Sequence, residues 1–292
     1  MYRPSWSTRS NSNSVHFFFL TGIPGFETYH AWISNLFCCL FAIAISGNGM
    51  ILFVISTELS LHEPMYYFLS MLSFTDLGLC LPTLVTMVGI FWFNAREISF
   101  DVCIGHMFFI HGFTLMESLL LLAMAFDRYT AICNPLRYDT ILTNSRIIKV
   151  GFAIVIRVTT VVVPLLLLLK RLSFCGSHLS CTDTEIISAF GLAIVISTGA
   201  LDSVLILLSY VLIIHSMLSI ASPEEWKKAF GTCVSHISAV AIFYIPMMSL
   251  SLVPRFGKHA PPLLHTLIAN ICLVKTMQIC KAMLKLFLSK LI

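Results

Sequence analysis

Seven stretches of this chain are long, apolar and nearly free of charge, and they restrict the fold more than any other feature. They fall at about 30–56, 64–93, 102–127, 147–169, 186–219, 229–253 and 260–274. A helix needs roughly 20 mostly apolar residues to cross the hydrocarbon layer of a bilayer. Within that layer no water satisfies backbone N–H and C=O groups, so only helices and closed barrels span it. The period-two alternation of a barrel strand is absent. The chain is therefore expected to be an all-α membrane protein, a seven-helix transmembrane bundle. Composition agrees, with 58% hydrophobic and 11% charged residues, against about 25% charged in soluble domains. The net charge of +4 is small and scattered, so no nucleic-acid partner is expected.

Three regions follow. Residues 1–29 are read as an extracellular N-terminal tail, because their Ser/Asn-rich start and the short "HFFFL" do not make a signal peptide. Residues 30–274 form the transmembrane domain, and 275–292 a cytoplasmic amphipathic segment with Lys281 and Lys285 one turn apart. With the tail outside, the inner side holds ten Lys and Arg residues and the outer side seven, the bias expected of that orientation. No repeated unit is found, which argues against a transporter or channel. Asp76, Glu117, Arg157 and Asp202 within the spans are what such a reading would rest on.

The third span ends in "MAFDRYTAICNPLRY" at the cytoplasmic boundary. Arg128 keeps its charge at any relevant pH and presents a planar fork of donors. Beside Asp127 it serves either as an interfacial anchor or as a switch that turns from Asp127 to a docked protein. Seven spans closed in this way resemble a rhodopsin-like G-protein-coupled receptor. "LTGIPGFE", "LHEPMYYFLSMLSFTDLG", "MAFDRYTAICNPLRY" and "KAFGTCVSH" are similar to odorant (olfactory) receptors, and "LTGIPG" with "SLVPRFGKHAPP" to their fish-like class I. The resemblance covers almost the whole chain. It implies G-protein coupling through Asp127, Arg128 and Tyr129, a small-molecule odorant as ligand, and a stimulatory olfactory-type heterotrimeric G protein as partner. It also implies a plasma-membrane location and no cofactor.

For the ligand site, the resemblance directs attention to the outer halves of the third, fifth and sixth spans. These carry Phe108, His111, Gly112, Thr114 and Leu115, then Ile194, Ser197 and Thr198, then Phe243, Tyr244, Met247, Met248 and Ser251. Together they would form an apolar pocket with a few hydroxyls and one imidazole, suited to a small volatile or an organic acid. Each also suits plain helix packing, and His111 suits a bond to a neighbouring helix. Arg255 either grips a ligand carboxylate or snorkels to headgroups. Asn48 and Asp76 match a polar, sometimes sodium-linked core of the family, or a simple interhelical bond. Cys103 matches one end of the family's outer disulfide, and Cys175 and Cys181 are both open as its partner. Cys233 and His236 have C-x-x-H spacing, but two ligands are too few and no metal is assigned. HExxH, GxSxG, phosphate-loop and N-x-[ST] patterns are absent, and no enzymatic activity is expected.

Two departures from the family stand out. The loop "CGSHLSC" is short. In "ANICLVKTMQICKAMLKLF" the family's Asn-Pro-x-x-Tyr ending of the seventh helix is missing. Residues 260–274 reach only about 22 Å against a core of about 30 Å, so the seventh helix is expected to be truncated. The leading expectation is an odorant receptor for a small volatile or carboxylic-acid-like ligand. The alternative is a non-signalling receptor remnant retained in the endoplasmic reticulum.

Overall fold

The computed structural model describes residues 17–19, 30–58, 61–93, 97–174, 181–218 and 222–256. They are almost wholly helical: α1 (His30–Thr57), α2 (Pro64–Trp92), α3 (Phe100–Cys133), the short α4 (Tyr138–Ile141), α5 (Asn144–Phe174), α6 (Cys181–Met217) and α7 (Pro223–Phe256). Six of these contain an apolar segment able to span a bilayer: Cys38–Thr57, Pro64–Thr86, Asp101–Cys133, Asn144–Leu168, Thr198–Met217 and Ala229–Ser249. The first six expected spans are thus α1, α2, α3, α5, α6 and α7. The expected seventh span and the segment 275–292 lie outside the described residues. Two three-residue strands were not anticipated. β1 (Phe17–Phe19) pairs antiparallel with β2 (Glu97–Ser99), so Phe18 faces Ile98 and part of the expected tail is tied to the α2–α3 connection.

Polarity runs opposite to that of a soluble protein. Phe53, Val85, Phe152, Leu207 and Ile245 are each at least 65% exposed. Asn48, Asp76, Glu117, Ser118, Asp127, Asp202 and His236 are buried. Such a surface is stable against lipid, where burying aliphatic side chains from water is not what drives helices together. Hydroxyls on the lipid-facing helices bond back to their own backbone, as in Thr159 Oγ1 to Val155 O at 2.8 Å and Ser238 Oγ to Val234 O at 2.8 Å. This satisfies those hydroxyl donors within their own helices.

α3 is the hub. One core joins its Leu121 and Ala125 to Ile206, Tyr210, Ile213 and Met217 of α6 and to Cys233, Phe243 and Tyr244 of α7. A second joins Leu120 and Met124 to Phe68 and Leu72 of α2 and to Ile147, Ile154, Val158 and Val162 of α5. α2 and α3 approach closely at Gly78, where an added Cβ would overlap the ring of Phe113. With 34 residues, α3 is about 51 Å long, longer than the hydrocarbon layer. Its last turns therefore reach the lipid boundary, and they carry Asp127, Arg128 and Tyr129.

Candidate functional site

The C-terminal end of α3 holds Asp127, whose carboxylate is buried. Arg128 sends both Nε (3.0 Å) and Nη2 (2.6 Å) to the same oxygen, Oδ2. The guanidinium therefore does not clasp the carboxylate fork to fork, and Oδ1 is left for another donor. Tyr138, the first residue of α4, supplies it through a phenolic hydroxyl 2.8 Å away. The turn Pro135–Arg137 after α3 brings Tyr138 back beneath the helix, with Pro135 excluded from continuing it. Burial, then the charge of Asp127, then the bond to it push the Tyr138 phenol well above its ordinary pKa, with Arg128 pulling slightly the other way. The phenol therefore remains a donor around neutral pH. The Arg128 side chain is 15% exposed, so it is pinned yet partly open at this end of the bundle. Tyr129 packs against the α3–α6–α7 core. Leu136, in the same turn, is 99% exposed.

Next to this end of the bundle, Tyr210 of α6 meets His236 of α7. The Tyr210 hydroxyl and His236 Nδ1 are 2.6 Å apart, and the rings stack at 5.8 Å. Near the middle, three helices meet through one hydroxyl. Ser118 Oγ of α3 donates to Asp202 Oδ2 of α6 at 2.7 Å and lies 2.7 Å from the Tyr244 hydroxyl of α7. All three side chains are buried. The two junctions tie α7 to α3 and α6 at two depths, and buried polar links of this kind fix one arrangement of helices over others.

The expected residues are distributed unevenly. Tyr244 belongs to the middle junction. Phe243 is buried in the α3–α6–α7 core and meets Tyr244 edge to face. Met247 packs on that core, its Cε close to Gly199, and Met248 is half-buried. Phe108, Thr114 and Leu115 are half-buried, with Phe108 against Phe109. Gly112 faces α5 at Val158 rather than α6 or α7. His111 is exposed. It lies seven residues before Ser118, on the same helical stripe and about 10 Å along the axis. Leu115 and Thr198 line a crevice with Arg157 and Asp202. Ile194, Ser197, Ser251 and Arg255 lie on α6 and α7, but their side chains are outside the described residues, as is Cys175 altogether. Cys181 opens α6. Cys103 carries a free thiol. Asn48 donates to Ala44 O of its own helix at 3.2 Å, and Asp76 and Glu117 are buried on the adjacent α2 and α3.

Sequence reasoning passed over Ser118, Tyr138, Leu136 and Tyr210, and weighed His236 only for its spacing from Cys233. Tyr138 and His236 stood inside quoted strings, at the ends of "NPLRY" and "CVSH". Ser118 had no signal of its own, because its two partners are set by how three helices are rotated.

The sequence profile described as "Olfactory receptor" matches residues 37–283. The chain is 56% identical to Olfactory receptor OR51C1 of Homo sapiens over 299 residues, covering 94% of this chain and 96% of that protein. It is 56% identical to human Olfactory receptor 51F1 over 308 residues, covering 96% and 97%. Both alignments are longer than the chain's 292 residues, so the relatives carry internal residues that this chain lacks.

Proposed function

This chain belongs to the olfactory receptor family of G-protein-coupled receptors, and from that premise we propose that it binds a small volatile or carboxylic-acid-like odorant and activates a stimulatory olfactory-type G protein. The ligand site lies between the outer halves of α3, α6 and α7, with His111 on its wall and Ser118 and Tyr244 beneath. Arg255 anchors an acidic ligand. The receptor works in the plasma membrane with its N-terminus outside, and nucleotide exchange takes place on the partner.

The observation that carries this reading is Arg128, held by Asp127 while Tyr138 occupies the other carboxylate oxygen. Charge-assisted bonds of this kind are the stronger ones, yet the guanidinium remains partly open to the cytosol. A ligand that presses on Tyr244 shifts α7 relative to Ser118 and Asp202, and the same helix carries His236 to Tyr210. Loosening both junctions opens the inner end beside Arg128, which then donates to the partner's backbone. The exposed Leu136 offers the partner an apolar contact. Ligand-driven change of this kind needs only that the odorant prefer the open arrangement.

Arg128→Ala is the test. Cyclic-AMP responses to an odorant panel are expected to vanish while the surface amount stays nearly unchanged. A preserved response would remove Arg128 from the mechanism.

One observation favours a second reading, a non-signalling remnant kept in the endoplasmic reticulum. The alignments to the human relatives exceed the length of this chain, consistent with a shortened second outer loop and seventh helix. Surface labelling of intact cells separates the two readings, since the remnant gives none.

A further inference from the structure

The mechanism above makes no use of Arg157 of α5, whose charge stands in the middle of a membrane span. It lies 13 residues after the start of the Asn144–Leu168 segment and 11 before its end, about 20 and 16 Å along the axis. From mid-bilayer to either edge of the hydrocarbon layer is about 15 Å, farther than an extended side chain reaches, so Arg157 does not snorkel to headgroups. It is nevertheless exposed on the outside of the bundle, and it forms no ion pair among the described residues. Asp202 of α6 lines the same narrow crevice, but it is buried and its Oδ2 accepts from Ser118. A cation at this depth is costly unless it is paired or faces water.

The face around Arg157 is low. Ala153 and Thr160, four residues before it and three after, share its side of the helix, and both are exposed. The Thr160 hydroxyl bonds to Arg157 O at 2.8 Å and so needs no other acceptor. Small residues beside a long cation let another helix approach closely. A second copy of this chain has no acceptor to bring. Asp76, Glu117, Asp127 and Asp202 within the spans are each at most 2% exposed, and Asp101 stands in the first turn of α3. Two α5 helices face to face would also set Arg157 against Arg157. A helix of a different protein, with Asp or Glu at mid-depth, meets the demand. Its carboxylate accepts two parallel bonds from the guanidinium fork and cancels the charge.

We propose that the α5 face of Ala153, Arg157 and Thr160 is a docking surface for a transmembrane helix of another protein that carries a carboxylate at mid-bilayer depth. The inference rests neither on signalling nor on which end of the chain lies outside, and its test reads association alone. The full-length chain is reconstituted in phosphatidylcholine vesicles with a synthetic Leu/Ala helix of about 22 residues. The helix carries one central Glu and a neighbouring diazirine-bearing leucine; sister helices carry Gln, Leu or Lys in place of the Glu. After irradiation, cross-links are mapped by mass spectrometry. The Glu helix is expected to label α5 between Ala153 and Pro164, saturating at an about tenfold lower peptide-to-lipid ratio than the Gln or Leu helix, the factor one charge-assisted hydrogen bond supplies. The Lys helix should not label this face. Arg157→Met should erase the preference for Glu, and Ala153→Trp, a bulky change at an exposed position, should block the cross-link. Val204→Trp, on the exposed side of α6, should leave it intact. Equal labelling by the Glu and Gln helices would overturn the proposal, and an Arg157 that turns inward onto Asp202 would give that result. A Glu preference that survives Arg157→Met, or a cross-link that survives Ala153→Trp, would overturn it as well.

Discussion

Asp127 and Arg128 are sequence neighbours, and on a helix adjacent side chains diverge. Their bond forms only because the long guanidinium bends back to one carboxylate oxygen, and that geometry leaves the place Tyr138 fills. Under the proposed mechanism Tyr138 is thus a second restraint on the resting arrangement. Removing its hydroxyl forfeits a bond to a charged group and shifts the resting equilibrium by about 1.4 kcal/mol, or tenfold. Tyr138→Phe is therefore expected to raise basal cyclic AMP per surface receptor severalfold. An unchanged basal level would show that the phenol does not hold the resting state. The Asp-Arg-Tyr string was legible in the sequence because it sits where apolar residues stop. The phenol eleven positions later was not, because its role depends on a turn whose direction local pattern does not encode.

Counting apolar residues placed six helices correctly, yet it ended the third at 127, where the structure carries α3 on to Cys133. Hydropathy records the solvent around a helix, not the helix itself. Charged residues beyond the lipid boundary continue the same hydrogen-bonded ladder. Helix contacts were less visible still. Gly78 reads as an unremarkable small residue, but the Phe113 ring occupies the space its side chain would need. Overpacking a fitted contact costs about 1–3 kcal/mol. Gly78→Val should therefore lower the surface amount markedly, whereas Gly49→Ala, with nothing within 4 Å of the new atom, should not. Quantitative surface labelling of both variants, side by side, decides the point; equal amounts would mean that α2 and α3 separate at little cost.

At the scale of the whole molecule, the buried carboxyls and the exposed aliphatic shell describe a bundle whose solvent is lipid and whose interior is polar at selected depths. The membrane class followed from composition. The odorant site did not become equally clear, because several of its residues serve as packing. Lengthening the chain at 274 with the family's Asn-Pro-x-x-Tyr ending should increase odorant-evoked coupling. Equal responses with and without it would show that the shortened form already signals fully. Such assays depend on where an epitope is attached, and the β1–β2 ribbon bears on that choice. Because Phe17–Phe19 is stitched to Glu97–Ser99, anything fused ahead of residue 17 is tethered beside the start of α3, not above α1. A bulky fluorescent or antibody-binding fusion there would crowd the N-terminal end of α3, where the proposed odorant site opens, so a slender tag on a long spacer is the sounder choice.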